Sequence, residues 1–231
     1  MEIKGVIFDM DGVIVNSEPF WAEAEHAVFS SKGAVLSPEL TAITRLMTTR
    51  EAVQFWHEKF PWEDPDFEAV EGEVIAHVRS CIGREDCSSP GIKDFVQMLK
   101  QSGLSLALAT NAPRALVPAA LSKAEIEDAF ATIVTADDVR KGKPDPEIYL
   151  KAAANLGVAP EHCLVIEDSD YGMEAAKRAG MRVVAFTTAD VHFPHADYYL
   201  ATFQPPFLFK SSVPEEVFEL SGRHIRPKHV S

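Results

Sequence analysis

Asp9 and Asp11 stand one residue apart and are followed by Gly12. They come at the end of an apolar run, Ile3 to Phe8, with the composition of a strand buried in a parallel sheet. Carboxylates at that spacing on extended chain face the same way, and Gly12 lets the chain leave the strand sharply. One of them could attack an electrophile or hold a cation while the other moves a proton. More groups able to do chemistry follow later apolar runs. Thr110 and Asn111 come after Leu104 to Ala109, Lys143 lies in the loop beyond Thr132 to Thr135, and Glu167, Asp168 and Ser169 follow Cys163 to Ile166. Open parallel sheets bind ligands at the carboxyl ends of their strands, so these loops are expected to meet in one crevice.

Carboxylates a few ångströms apart repel by about 4 kcal/mol per pair at an effective dielectric of about 20. Lys143 supplies one positive charge against Asp9, Asp11, Glu167 and Asp168, so a further cation is required. An all-oxygen donor set without neighbouring Cys or His selects a hard ion, Mg2+, which keeps waters and shares phosphate oxygens. The expected partner is therefore a small phosphorylated metabolite. Taken singly, each group has an ordinary explanation: Asp-x-Asp-Gly suits a turn, Thr110 a cap, Lys143 a solvated surface, and Glu167-Asp168 a helix start where acids suit the dipole. It is their occurrence in order after successive strands that points to a site. A nucleotide P-loop around Gly142-Lys143 fails, because Pro144 replaces the needed hydroxyl residue and Asp137 the leading glycine. His192 and His195 read as a solvated loop.

The elements that must hold these residues alternate. Ile92, Phe95, Val96 and Leu99 share one helical face. Asp145 and Pro146 begin a helix with Ile148, Tyr149, Ala152 and Leu156 inside and Gly157 at its end, and Tyr171 to Ala179 forms another closed by Gly180. Arg182 to Phe186 is a further strand. The fold class is α/β: a Rossmann-like parallel sheet with helices on both faces. The gap between Phe8 and Leu104 breaks the rhythm. Within it Ser17-Glu18-Pro19 opens a helix carrying Phe20, Trp21, Ala24 and Val28, and Ser37-Pro38 opens a second. Thr49 caps a third with Val53, Trp56 and Phe60, and Asp64-Pro65 precede Phe67, Val70, Val74 and Val78. The spacing predicts an inserted α-helical domain over residues 16–88, with residues 1–15 and 89–231 forming the core domain.

A chain of 231 residues with a formal charge of -13 has room for such a core and insertion, and it repels nucleic acid and anionic membranes. Cys81, Cys87 and Cys163 have no zinc-like spacing and read as reduced thiols. With no targeting or membrane-spanning stretch the expected location is cytoplasmic, and the expected state a monomer. Arg223 to Ser231, basic and without apolar periodicity, reads as a frayed tail.

Asp9 to Gly12, Thr110, Gly142-Lys143-Pro144 and Glu167-Asp168-Ser169 together resemble the four motifs of the haloacid dehalogenase (HAD) superfamily, almost end to end and in the right order. Glu167 to Ala176, Glu-Asp-Ser-x-x-Gly-x-x-Ala-Ala, is similar to the subgroup with a helical cap between the first two motifs. That subgroup includes sugar-phosphate phosphatases, phosphoglycolate phosphatase and beta-phosphoglucomutase. The resemblance implies that Asp9 is the nucleophile of an aspartyl-phosphate mechanism and Asp11 the general acid and base. Thr110, with the backbone amide of Asn111 after it, and Lys143 would bind the phosphoryl group. The metal would be held by Asp9, Asp11 through its carbonyl, and Asp168, with Glu167 a direct or water-mediated ligand. A phosphatase acting on a sugar or polyol phosphate is the implied function. A mutase is the alternative, which Phe20 and Trp21 disfavour where the mutase carries a histidine, and a non-catalytic binding protein is a second alternative, which retention of Asp9 and Asp11 disfavours. Asp11 also counts against a true dehalogenase. In the cap, Trp21, Arg45, Thr48 and Arg50 are candidate substrate contacts.

Overall fold

The computed structural model describes residues 2–45, 47–205, 208–211, 217–221 and 224–227. Strand β1 (Gly5–Phe8) lies inside the sheet, with β2 (Ser105–Thr110) on one side and β4 (Cys163–Glu167) on the other, both parallel to it. Beyond them come β3 (Thr132–Thr135) next to β2, and β5 (Arg182–Phe186) then β6 (Tyr198–Leu200) next to β4, all parallel. In the order β3-β2-β1-β4-β5-β6 the chain therefore builds outward from β1 through β2 and β3 on one side, then returns to β4 and builds through β5 and β6 on the other. Such a switch point opens a crevice outside the strand ends.

Residues of β1 alternate between the faces, as strand geometry requires. Ile7, with Ala107, Ala109, Val165 and Val183 from neighbouring strands, joins one buried cluster with Ile148, Tyr149 and Ala152 of α7 (Glu147–Leu156) and Met173 and Ala176 of α8 (Asp170–Arg178). Val6 and Phe8, with Leu106, Leu108, Leu164 and Ile166, face α5 (Ile92–Gln101) and α6 (Val117–Lys123). A sheet covered on both sides explains why its strands read as continuous apolar runs.

The insertion consists of α1 (Glu18–Ser31), α2 (Pro38–Thr44), α3 (Thr49–Lys59) and α4 (Phe67–Arg84). An aromatic stack joins the helices: the Trp56 ring lies 5.6 Å from Phe29 and 6.1 Å from Phe60. The chain enters and leaves the insertion side by side. Val15 bridges Ser88, the Asn16 amide donates to the Cys87 carbonyl at 2.8 Å, and the Ser89 amide donates to the Ile14 carbonyl at 2.9 Å.

Some boundaries differ from the sequence reading. Helix α3 is capped by Thr48, not Thr49: the Thr48 side chain accepts from the Glu51 amide while Glu51 reaches back to the Thr48 amide. That reciprocal capping box requires the Thr-x-x-Glu spacing, which only Thr48 has. Asp66 caps α4, its side chain accepting from the Ala69 amide, and Asp64 before it takes a left-handed turn at φ 46. Pro146 precedes α7 and Glu147 is its first residue. The carboxyl-terminal reading is corrected more deeply. His224–Pro227, expected to be part of a frayed tail, is strand β9, paired antiparallel with β8 (Val217–Ser221), which pairs with β7 (Leu208–Ser211) on the edge of β6. Pairing between strands supplies backbone hydrogen bonds that apolar periodicity does not reveal. No helix among the described residues is long and apolar enough to cross a membrane.

Candidate active site

Asp9 follows β1 directly and is 6% exposed. Its Oδ1 accepts from the Lys143 ammonium, which also donates to Glu167 Oε1 at 2.6 Å. Lys143 is 3% exposed and Glu167 fully buried, so this bridge is largely shielded from solvent, with Asp9 its most accessible member. The ammonium lies 5.0 Å from the centre of the Tyr149 ring. Asn111 holds Lys143 by its backbone: the Lys143 amide donates to Asn111 Oδ1 at 2.8 Å, and Asn111 Nδ2 donates to the Lys143 carbonyl at 3.3 Å. Asn111, whose backbone amide is the group expected at the phosphate, thus also uses its carboxamide to place Lys143. A side chain at Gly142 would meet Asn111 Oδ1 at 2.7 Å, so only glycine lets the two loops come this close.

Glu167, expected among the metal ligands, has both oxygens engaged. Oε1 accepts from Lys143 and from the Tyr149 hydroxyl at 2.9 Å, and Oε2 accepts from the Ser169 amide at 3.0 Å and its hydroxyl at 2.8 Å. A Cβ at Gly172 would come within 1.9 Å of Oε1, so α8 can pack over the carboxylate only with glycine there. This geometry suits a positioning role. Tyr149 is a residue the sequence reading assigned to the core alone. A buried phenol needs a hydrogen-bond partner, and that requirement was the available signal.

Asp11 is held from three directions. Its Oδ1 accepts from the Ser17 hydroxyl and from Trp21 Nε1 at 3.1 Å, and its Oδ2 accepts from the Thr110 hydroxyl at 3.3 Å. Ser17 and Trp21 belong to the start of the insertion, so the second aspartate is tied to α1 as well as to the sheet. Thr110 is nearly fully buried, and its oxygen also accepts from the Ala112 amide at 3.0 Å.

Asp9, Glu167 and Asp168 bring carboxylate oxygens within 4.8 Å of one another. Burial, reinforced by Glu167 and Asp11 and opposed by Lys143, pushes Asp9 up to about 8. Burial, then Glu167 and Asp9, push Asp168 up to about 9 against the pull of Lys143. Lys143 itself is held well above its ordinary value, because Asp9 and Glu167 outweigh the burial that would lower it. One ammonium is shared among too many acids, and the deficit is that of a site made for a further cation. The donors are all oxygen, which fits a hard divalent ion such as Mg2+. Gly12, at φ +79, makes room: a Cβ there would lie 1.9 Å from Asp168 Oδ2. Gly12→Ala is accordingly expected to displace Asp168 or the turn and to lower kcat by about 10²-fold, the usual effect of misplacement by about 1 Å; steady-state kinetics checks this.

A cavity of about 510 Å³ extends from Asp11 and Asp168 to Trp21, Glu25, Thr44 and Arg45 on the insertion. Arg45 pairs with Glu18 at 2.6 Å. Of the other cap candidates, Thr48 is used in capping α3, and Arg50 is paired with Glu71 at 3.2 Å on an exposed surface; neither lines the cavity. Glu25 and Thr44, which do, were not selected from sequence. His195 Nδ1 lies 3.1 Å from Asp170 Oδ1, apart from the cluster.

A family profile for haloacid dehalogenase-like hydrolases matches residues 3–180. Hexitol phosphatase B of Escherichia coli K12 is 34% identical over 184 residues, which cover 79% of this chain and 83% of that protein. A phosphorylated carbohydrates phosphatase of Thermotoga maritima is 35% identical over 181 residues, 78% of this chain and 82% of that protein. Among solved structures, CbbY from Rhodobacter sphaeroides in complex with phosphate superposes with a TM-score of 0.78 at 26% identity, covering 87% of this chain and 95% of that one. With matches of this extent, a sheet built outward from β1 on one side and then from β4 on the other, and acids gathered at its strand ends, the chain belongs to the haloacid dehalogenase-like hydrolase family.

Proposed function

We propose that this phosphoric monoester hydrolase is a magnesium-dependent phosphatase of sugar or polyol phosphates, working through an aspartyl-phosphate on Asp9. The observation that carries the reading is the buried bridge of Asp9, Lys143 and Glu167, whose acids lie within 4.8 Å of Asp168, with Asp168 and Asp11 in turn lining the cavity that reaches the insertion. Two relatives that this chain matches over most of their length are phosphatases of hexitols and of phosphorylated carbohydrates by name.

In this reading a carboxylate oxygen of Asp9 attacks phosphorus and the ester oxygen leaves. Asp11 gives that oxygen a proton and later takes one from the water that cleaves the intermediate. Lys143 and the Thr110 hydroxyl hold phosphoryl oxygens in a buried setting where fixed charge acts strongly. Glu167 and Asn111 keep Lys143 aimed, as their hydrogen bonds to it suggest. Mg2+, held by Asp9, Asp168 and the Asp11 carbonyl, would neutralise charge on the phosphoryl group and among the acids. Residues 16–88 would act as a cap over a core of residues 1–15 and 89–231, turning about the paired segments at Val15 and Ser88. Closure would keep bulk water from the intermediate.

A phosphate-release screen over hexose, hexitol, glycolate and nucleotide monophosphates, with magnesium or with chelator, tests this. Release is expected from hexose or hexitol esters and is expected to fall by about 10²-fold or more on chelation, the loss of several kcal/mol of charge stabilisation. Isomerisation without release would make the protein a mutase, and full turnover in chelator would remove the metal from the account.

A further inference from the structure

The cavity beyond Asp11 has an acid of its own. Glu25, on the second turn of α1, lines it together with Thr44 at the end of α2. The Thr44 hydroxyl, itself buried, donates to Glu25 Oε2 at 2.8 Å and fixes the carboxylate in place. Among the described residues no hydrogen bond is made to the other oxygen, Oε1, so the carboxylate of this cavity-lining residue keeps acceptor capacity for a further donor. The uncharged lining from the insertion mixes apolar side chains, Phe29, Ala52 and Val74 among them, with the hydroxyls of Thr41 and Thr49. Burial raises the Glu25 pKa against the Thr44 hydrogen bond, so the carboxylate gains from any new donor. The fully buried Trp56 indole Nε1 reaches no acceptor at hydrogen-bond geometry, yet it lies close enough to Glu25 to favour the charged form. The other charges facing the cavity from the insertion are Glu18 and Arg45, which neutralise each other. The cap end of the cavity therefore has a net negative character, opposite to that needed for a second phosphate or a carboxylate.

We propose that Glu25 reads the alcohol end of the substrate: it accepts a hydrogen bond from a hydroxyl of an uncharged, hydroxyl-bearing carbon chain and disfavours esters whose far end carries another anion. This rests on the phosphatase reading above and narrows it to monophosphates of neutral polyols or sugars. A hydroxyl donor uses the carboxylate's remaining acceptor capacity without placing a like charge beside it, whereas an anionic tail would enter a confined space already holding one negative charge.

The test compares kcat/KM of the full-length protein with magnesium on a hexitol 6-phosphate, a sugar bisphosphate and phenyl phosphate, which has no hydroxyl on its leaving group. In the parent, the hexitol ester is expected to be preferred over the bisphosphate. In Glu25→Gln, which keeps the shape and removes the charge, the ratio of hexitol ester to phenyl phosphate should fall by about 10- to 100-fold, as loss of a hydrogen bond to a charged group implies. The preference over the bisphosphate should shrink with it. Glu25→Asp, retaining the charge one methylene shorter, should lose hydroxyl reading but keep the bias against the bisphosphate, which separates recognition from any general effect on folding. Ratios that do not move in Glu25→Gln, or a parent that prefers the bisphosphate, would overturn the role of Glu25 while leaving the phosphatase reading intact. Absence of phosphate release from every ester by the parent would bring down both.

Discussion

Asp9→Asn should fold as the parent does and lose phosphate release by about 10⁴-fold or more, the scale seen when the attacking group of a covalent mechanism is removed. The substitution keeps the volume of a side chain that is 6% exposed, and Lys143 retains Glu167 as its partner, so the buried bridge is not left without an acid. Thermal unfolding is therefore expected to change little while kcat collapses. The contrast between the two measurements matters more than either alone, because a variant that merely unfolded would lose both. Asp11→Asn should instead retain slow turnover, since its role is proton transfer, worth typically about 10²- to 10⁴-fold.

Lys143→Met is expected to fail on both counts. Lys143 is the only protein cation bonded to Asp9 and Glu167 among the described residues. Its removal leaves two buried carboxylates facing each other, and breaking a buried pair by deleting one partner costs about 3–5 kcal/mol. For a chain of this size that corresponds to a Tm lower by about 6–20 °C. Catalysis should fall by a further factor of about 10²–10³, the usual effect of losing one preorganised group that stabilises developing charge. Magnesium should restore part of the stability, because a cation binding the same acids stabilises only the folded state. Differential scanning measurements with and without magnesium, beside kcat, check all three.

What could be read from sequence follows the range of the forces involved. β1, β2, β4 and β5 were legible because a strand buried on both faces must be largely apolar, β3 because its short β-branched run falls between helices, and the gathering of Asp9, Asp11, Thr110, Lys143 and Asp168 at one sheet edge because each follows such a run. The insertion was visible as a gap too long for a loop. The division of labour inside the site was not. Whether Glu167 faces a metal or an ammonium depends on Tyr149, Ser169 and Gly172 closing around it, contacts that bring together residues up to 18 positions apart. Asn111 stood out for the backbone amide that follows Thr110; that its carboxamide also holds the backbone of Lys143, 32 positions away, was not readable. Thr48 and Arg50 have the right chemistry for a ligand, yet a local capping box and an ion pair with Glu71 take them. Glu25 and Thr44 meet only because α1 and α2 fold against each other, and helical periodicity gives no sign of that. The pairing of β8 with β9 is local, Ser221 opposite His224, but the stretches are too short for a pattern.

The central claim is that phosphorus passes through the carboxylate of Asp9. Acid quenching of the protein during turnover of a hexitol phosphate with magnesium, followed by proteolysis and mass spectrometry, tests it most directly. A phosphoryl adduct on the peptide holding Asp9, absent from Asp9→Asn, is the expected result; an adduct on any other residue, or hydrolysis by Asp9→Asn at the parent rate, would contradict it.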